Sequence, residues 1–304
     1  MQIQSWKRTH RVKLFTAPPL SQFAQDPRPA LPVRPAPVRM MLPETPASVR
    51  IIPIPRLAAG GRWRVEAMRA LNEPVLLWFT RGQGRITLGG VTRGYGAHNA
   101  VFIPAGVMHG FEVGLQTHGQ AIFLGRGSDV TLPDAAQHLR IREAAPQTEL
   151  SVIIEQVQRE LDSKRPGADR AARHHLGLLG VWLERQVSLA EAEVKRPTAA
   201  KRLVARFTTL LERDFRSGEG VADYAARLGV TPTHLTRVCR ESCSRPASDL
   251  LQDRRLYEAR RLLTETREPV KTISEALGFT SPAYFTRSFH AKTGKTPSAF
   301  RRGG

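Results

Sequence analysis

The sequence of 304 residues predicts a two-domain protein: an all-β barrel or sandwich followed by helices, then an all-α half with two paired-helix units joined by a long helix. Three observations carry this reading. Between residues 49 and 132, short apolar runs are separated by glycines ("PVLLWFTRGQGRITLGG", "GYGAHNAVFIPAGVMHGFEV", "GQAIFLG"), the texture of short strands and tight turns. From Leu150 onward, apolar residues recur at helical spacing. Lastly, "LGVTPTHLTRVCR" at 228–240 returns as "LGFTSPAYFTRSFH" at 277–290, an internal repeat and therefore a statement about fold.

In chain order, residues 1–46 are rich in Pro and Arg with no helical or strand period, and are expected to be a flexible basic arm. Residues 47–147 form the β domain. Residues 148–192 follow as a helical hairpin: Leu150, Ile153, Ile154, Val157 and Leu161 make one apolar stripe, "DSKRPGAD" breaks it, and Leu176, Leu179 and Leu183 resume beside Trp182. The hairpin's apolar faces need a partner, either its own β domain or a second copy of the chain. Residues 193–201, around "AEVKRPTAA", read as a linker, and 202–304 as the helical domain.

The totals bound the function. No apolar run approaches the ~18 residues of a membrane span, and the basic start "MQIQSWKRTHRVKLF" lacks the apolar core of a signal peptide. The expectation is a cytoplasmic protein with no membrane partner. Two cysteines, Cys239 and Cys243, are too few for a disulfide framework or a zinc site. No catalytic residues, metal or cofactor are expected. Lys and Arg number 46 against 27 Asp and Glu, a net charge of +19 that suits a polyanion, nucleic acid before a membrane surface. The surplus is spread along the chain: residues 198–304 hold 20 basic and 11 acidic side chains, and the first fifty hold 8 and 2. Charge alone does not single out one domain.

The repeat does. Gly229 and Gly278 end a helix in the left-handed conformation without a Cβ penalty. Thr231 and Ser281 then cap the next helix, and Pro232 and Pro282 fall in its first turn, where a missing N–H costs nothing. Leu235/Cys239 and Phe285/Phe289 are i, i+4 anchors that pack the new helix on the old, against Ala225 and Leu228 or Ile273 and Leu277. Two helices joined so tightly form a helix-turn-helix, at about 220–241 and again at about 270–292. With the anchors inward, Thr233, Thr236, Arg237 and Arg240 face outward in the first copy, and Pro282, Ala283, Thr286 and Arg287 in the second. Thr and Arg on such a face suit the major groove, Arg donating to guanine or to phosphate. Cys239 takes a buried anchor position, where a thiol behaves as a small hydrophobe rather than a redox sensor.

Over its whole length, the segment from about Leu203 to Arg302 resembles the AraC/XylS family of bacterial transcription regulators, through "YAARLGVTPTHLTRVCRE", "LLQDRRLYEARRLL" and "ISEALGFTSPAYFTRSFHAKTGKTPSAFR". It departs from the family pattern at Ser244, where Gly is usual, and at Cys239, where a larger apolar residue is usual. The resemblance implies two recognition helices entering successive major grooves of promoter DNA, about 34 Å apart. Gly96, Pro104, Gly106 and His109 resemble the second cupin motif, and a cupin barrel ahead of this domain is similar to the family's sensory half. That implies a small-molecule effector of unknown identity, a homodimer formed through the helices, and RNA polymerase as a partner of a cytoplasmic activator. Trp78 and His109 are the candidate effector contacts; for Trp78 filling the core is the favoured alternative, and for His109 the alternative is a satisfied structural histidine. Two other readings stand beside this one. A metal-dependent cupin enzyme would need a His-x-His and a Glu where the chain has "LLWFTRGQGRITLGG", and neither His98 nor Glu112 has the spacing to replace them. A constitutive binder using charge alone would show no sequence preference.

Overall fold

The computed structural model describes residues 49–126, 130–191 and 197–303. The expected arm at 1–46 lies outside the described residues, as do 192 at the end of the expected hairpin and 193–196 of the expected linker.

The first half contains β1 (Arg50–Pro53), the single turns α1 (Ile54–Leu57) and α2 (Trp63–Glu66), then β2 (Val75–Arg81), β3 (Gly84–Leu88), β4 (Val91–Tyr95), β5 (Asn99–Ile103), β6 (His109–Phe111), β7 (His118–Phe123) and β8 (Gln137–Arg140). They make two antiparallel sheets, one of order β1-β7-β2-β5-β8 and one of order β4-β3-β6. One apolar core lies between the sheets: Val75, Leu77, Phe79, Val101 and Ile103 meet Ile86, Tyr95 and Phe111. Phe79 stacks on Tyr95 at 4.0 Å and meets Phe111 edge-on at 6.0 Å.

The other face of the larger sheet is covered by α3 (Ala144–Leu161) and α4 (Ala168–Glu191). Leu76, Trp78, Ala100, Phe102 and Ile122 pack there against Leu150, Ile154, Val157, Leu176, Leu179 and Trp182. The Trp182 indole donates to the Pro146 carbonyl at 3.0 Å, which fixes the pitch of the hairpin. Strands β2 and β5 are thus buried on both faces, which explains why "VLLWF" and "AVFI" run continuously apolar instead of alternating.

The second half is helical: α5 (Ala199–Asp214), α6 (Val221–Leu228), α7 (Pro232–Cys243), α8 (Ala247–Glu265), α9 (Val270–Ala276), α10 (Pro282–Thr293) and α11 (Pro297–Arg302). Thr198 caps α5 by accepting from the Lys201 N–H at 3.3 Å, so regular helix begins within the stretch read as a linker. Val204, Phe207 and Leu211 of α5 share one core with Leu250, Leu256, Leu262 and both paired-helix units.

A seam joins the halves. Trp63 of α2 meets Tyr257 of α8 at 5.7 Å and Phe300 of α11 at 6.0 Å between ring centroids. The Asp253 carboxylate accepts from the Met68 N–H at 2.9 Å and from Arg245 at 3.0 Å, and Met68 and Met108 belong to the helical core.

Candidate nucleic-acid interface

Each recognition helix is built by local rules. In the first unit, Gly229 has φ +71° and the Thr231 hydroxyl accepts from the His234 N–H at 3.2 Å. In the second, Gly278 also has φ +71° and Ser281 accepts from Tyr284 N–H at 3.1 Å. Leu235, Cys239, Phe285 and Phe289 are wholly buried. Aromatic packing surrounds the anchors of the second unit: Phe285 meets Phe279 at 5.0 Å and Phe289 at 5.7 Å, and Phe289 meets Phe300 at 5.4 Å. The departure at Ser244 has a backbone consequence. It ends α7 at φ +57°, where its counterpart Gly294 ends α10 at φ +70°, and a Cβ in that region costs about 1–2 kcal/mol.

With the anchors turned in, α7 exposes Thr233, Arg237 and Arg240, with Thr236 half-buried, and α10 exposes Pro282, Ala283 and Arg287, with Thr286 half-buried. The two arginines of the repeat differ in their surroundings. Arg237 is tied along its helix, Nη1 to Glu241 at 2.5 Å and Nη2 to His234 Nδ1 at 3.1 Å. Arg287 makes no ion pair among the described residues. Three further side chains belong to these faces: His234, Tyr284 and His290. The repeat could have found His290, which stands where the first copy has Arg240.

A largely buried ion-pair network ties α8 to α5 and to the segment that follows α5. Glu258 of α8 accepts from Arg216 and Arg261, both at 2.6 Å, and from Arg254 at 3.3 Å. Arg254 also reaches Glu212 of α5 at 2.6 Å. Burial opposes ionisation of Glu258, but the three guanidiniums outweigh it and hold the carboxyl at about 2.

The candidate effector residues lie in the β half, on different sheets. Trp78 of β2 is 2 % exposed, on the face covered by α3 and α4, with the exposed His98 ring 5.9 Å away. His109 opens β6, exchanges backbone hydrogen bonds with Arg69 at 2.7 and 2.9 Å, and sets Nδ1 2.8 Å from the Val107 carbonyl. Burial, with the Arg69 cation nearby, lowers its imidazole to about 3, so the ring is neutral at physiological pH. Glu112 pairs with Arg85 at 2.7 Å. Both cysteines are buried, and burial, with Cys243 alongside, pushes the Cys239 thiol up to about 12, against formation of the reactive thiolate. A cleft of about 380 Å³ opens between the smaller sheet and the end of α7, lined by Arg62, Arg85, Thr87, Thr92, Glu112 and Arg245 among others.

A family model described as "Helix-turn-helix domain" matches residues 224–303. The arabinose operon regulatory protein of Escherichia coli (strain K12) is 32% identical over 83 residues, 27% of this chain and 28% of that protein. The HTH-type transcriptional regulator GlxA of Rhizobium meliloti (strain 1021) is 33% identical over 146 residues, 46% and 44% of the two chains. The chain therefore spans less than half the length of these regulators. A Proteus vulgaris protein described as "Probable transcription factor PqrA" is 30% identical over 107 residues, 34% of this chain and 88% of that protein. The matched residues are those that build the two caps, the two anchor pairs and the joining helix, and the chain belongs to the AraC/XylS family of helix-turn-helix transcription regulators.

Proposed function

We propose that this protein is a sequence-specific DNA-binding transcription regulator, a small-molecule-responsive activator that works as a homodimer on promoter DNA and contacts RNA polymerase. The carrying observation is the pair of equivalent recognition helices, α7 and α10, each anchored inward by an i, i+4 apolar pair and turning Thr and Arg outward. Thr233, Thr236, Arg237 and Arg240 read or position one major groove; Pro282, Ala283, Thr286 and Arg287 take the next. The relatives are transcriptional regulators, which supports a non-enzymatic role, and no described helix is long and apolar enough to cross a membrane. A cytoplasmic location follows from that role.

The hairpin supports the dimer. Val152 of α3 and Leu178, Val181 and Leu189 of α4 stay exposed, apolar side chains of the kind a second copy covers. For the effector, Trp78 and His109 remain candidate contacts. The cleft beside Arg85 and Arg245 offers a second place, where a small molecule would touch the smaller sheet and the end of α7 together.

The test is binding to a duplex selected from a randomised pool by the full-length protein. Arg237→Ala or Arg287→Ala should weaken a base-reading contact by about 1–3 kcal/mol and relax the preference at one position. Loss that is uniform across sequences, with a shallower salt dependence, assigns that arginine to phosphate. Normal binding by both variants would refute the interface, and a pool that yields no preferred sequence would favour a binder acting by charge alone.

A further inference from the structure

The turn of the second unit touches, backbone to backbone, the segment that leads into the first unit. A Cβ on Gly278 would lie 2.4 Å from the Gly218 nitrogen, 2.6 Å from the Arg216 carbonyl oxygen and 2.7 Å from the Gly218 Cα. Those atoms belong to the segment between α5 and α6 that leads into the first unit. The same construction at Gly229 meets nothing within 4 Å. Both glycines have φ +71°, so the conformational demand is equal and only one of them carries the contact. Arg255 of α8 closes the joint. Its Nε donates to Phe215 O at 2.7 Å, its Nη2 to Glu219 O at 2.9 Å, and its guanidinium lies 5.9 Å from the Phe279 ring centroid. One side chain therefore braces the 215–219 segment and the residue that follows Gly278.

We propose that Gly278 is a positioning residue: its backbone contact with Gly218 fixes the second recognition helix against the first, so one chain accepts its two half-sites at a single spacing. This rests on the DNA-binding reading above. A Cβ at 278 needs about 1 Å more room to reach ordinary van der Waals distance. The obstructing atoms are backbone and cannot swing aside as a side-chain tip does, so the turn of the second unit and the segment that leads into the first must separate. DNA offers no matching tolerance. One inserted base pair moves the second half-site by about 3.4 Å and rotates it by about 34°.

The experiment uses the full-length chain and its selected duplex, with derivatives carrying one base pair more or fewer between the half-sites. Asn tolerates the left-handed region, so Gly229→Asn and Gly278→Asn share a conformational cost and differ in the contact. Wild type should lose on the order of tenfold in affinity for each change of spacing, as for a mismatched position. Gly229→Asn should keep that penalty. Gly278→Asn should bind the original spacing about tenfold more weakly and discriminate little between spacings. Arg255→Lys, which leaves the glycine in place but cannot bridge both carbonyls, should also lose spacing discrimination, and it decides the matter if Gly278→Asn does not fold. Wild-type spacing penalties in Gly278→Asn, or in Arg255→Lys where that variant decides, would overturn the inference alone. A pool that yields no selected duplex would overturn the sequence-specific reading and this inference with it.

Discussion

Arg237 and Arg287 occupy the same position of a repeat, yet one is tied and the other is not. The Glu241 carboxylate holds Arg237 along α7 and would sit as a negative charge near any phosphate the helix approaches. Glu241→Gln should therefore strengthen binding to the selected duplex, by about 0.5–1 kcal/mol given the modest worth of an exposed pair; weaker binding in a titration at fixed salt would show that Glu241 aims Arg237 productively. The repeat made both arginines legible, because a cap, a proline and two anchors leave few outward positions. It did not reveal the tether, since an i, i+4 Arg–Glu pair looks alike whether formed or broken. His109 shows a different limit. The sequence left it between ligand contact and structural histidine, and its burial carries a consequence for pH. A ring held at about 3 when folded and near 6.5 when unfolded stabilises the native state above pH 6.5 and loses that contribution as pH falls towards 3. His138, lowered to about 4 by burial and then by Arg93, acts in the same direction. Urea unfolding should show stability falling between pH 6.5 and 4, with His109 contributing a slope of up to about 1.4 kcal/mol per pH unit, and His109→Gln should flatten that slope.

Among the elements, α8 carries the heaviest electrostatic commitment. Glu258 has three guanidinium partners and is 3 % exposed, so its removal strands the buried Arg254 with Glu212 alone. Glu258→Gln should cost about 3–5 kcal/mol in urea unfolding, and the wild-type contribution should fade as pH drops from 4.5 towards 2, because a depressed carboxylate loses its advantage on protonation. The long joining helix was plain in the sequence, because Leu250, Leu251, Leu256, Ala259, Leu262 and Leu263 recur at helical spacing. Its ion-pair network was not, because Arg254 and Glu258 belong by type to a solvated face. The strands reversed the difficulty. "VLLWF" marked β2 as buried without saying what buried it, since a run apolar on both faces fits a sheet between helices and another sheet as well as it fits a barrel wall. That is why Trp78 could not be assigned a face until the hairpin was seen lying over it.

For the molecule as a whole, the sequence reads as a β half, a hairpin and a helical half, because period, glycine content and the repeat all change at the borders. Contacts between the halves left no such trace. Trp63, Asp253 and Phe300 are far apart in sequence and carry no shared pattern, and their meeting depends on how two finished surfaces fit. The exposed face of the hairpin belongs to the same scale. If Leu178, Val181 and Leu189 are covered by a second copy, Leu178→Asp should leave a folded protein that sediments as a monomer and binds a two-protomer site at least about tenfold more weakly, as expected when linked binding is lost. An unchanged sedimentation coefficient would remove this face from the dimer.

The repeat within one chain has a last consequence. Two units related by succession along the chain, rather than by a twofold axis, give the protein a front and a back on DNA. The copies are also unlike: one is clamped by phenylalanines and ends at a glycine, the other is anchored by a thiol and ends at a strained serine. On the function proposed above, a single chain would read a site that has a direction, and inverting that site would turn the β half to face the opposite way along the duplex. For a regulator, orientation then becomes part of the message written in the DNA.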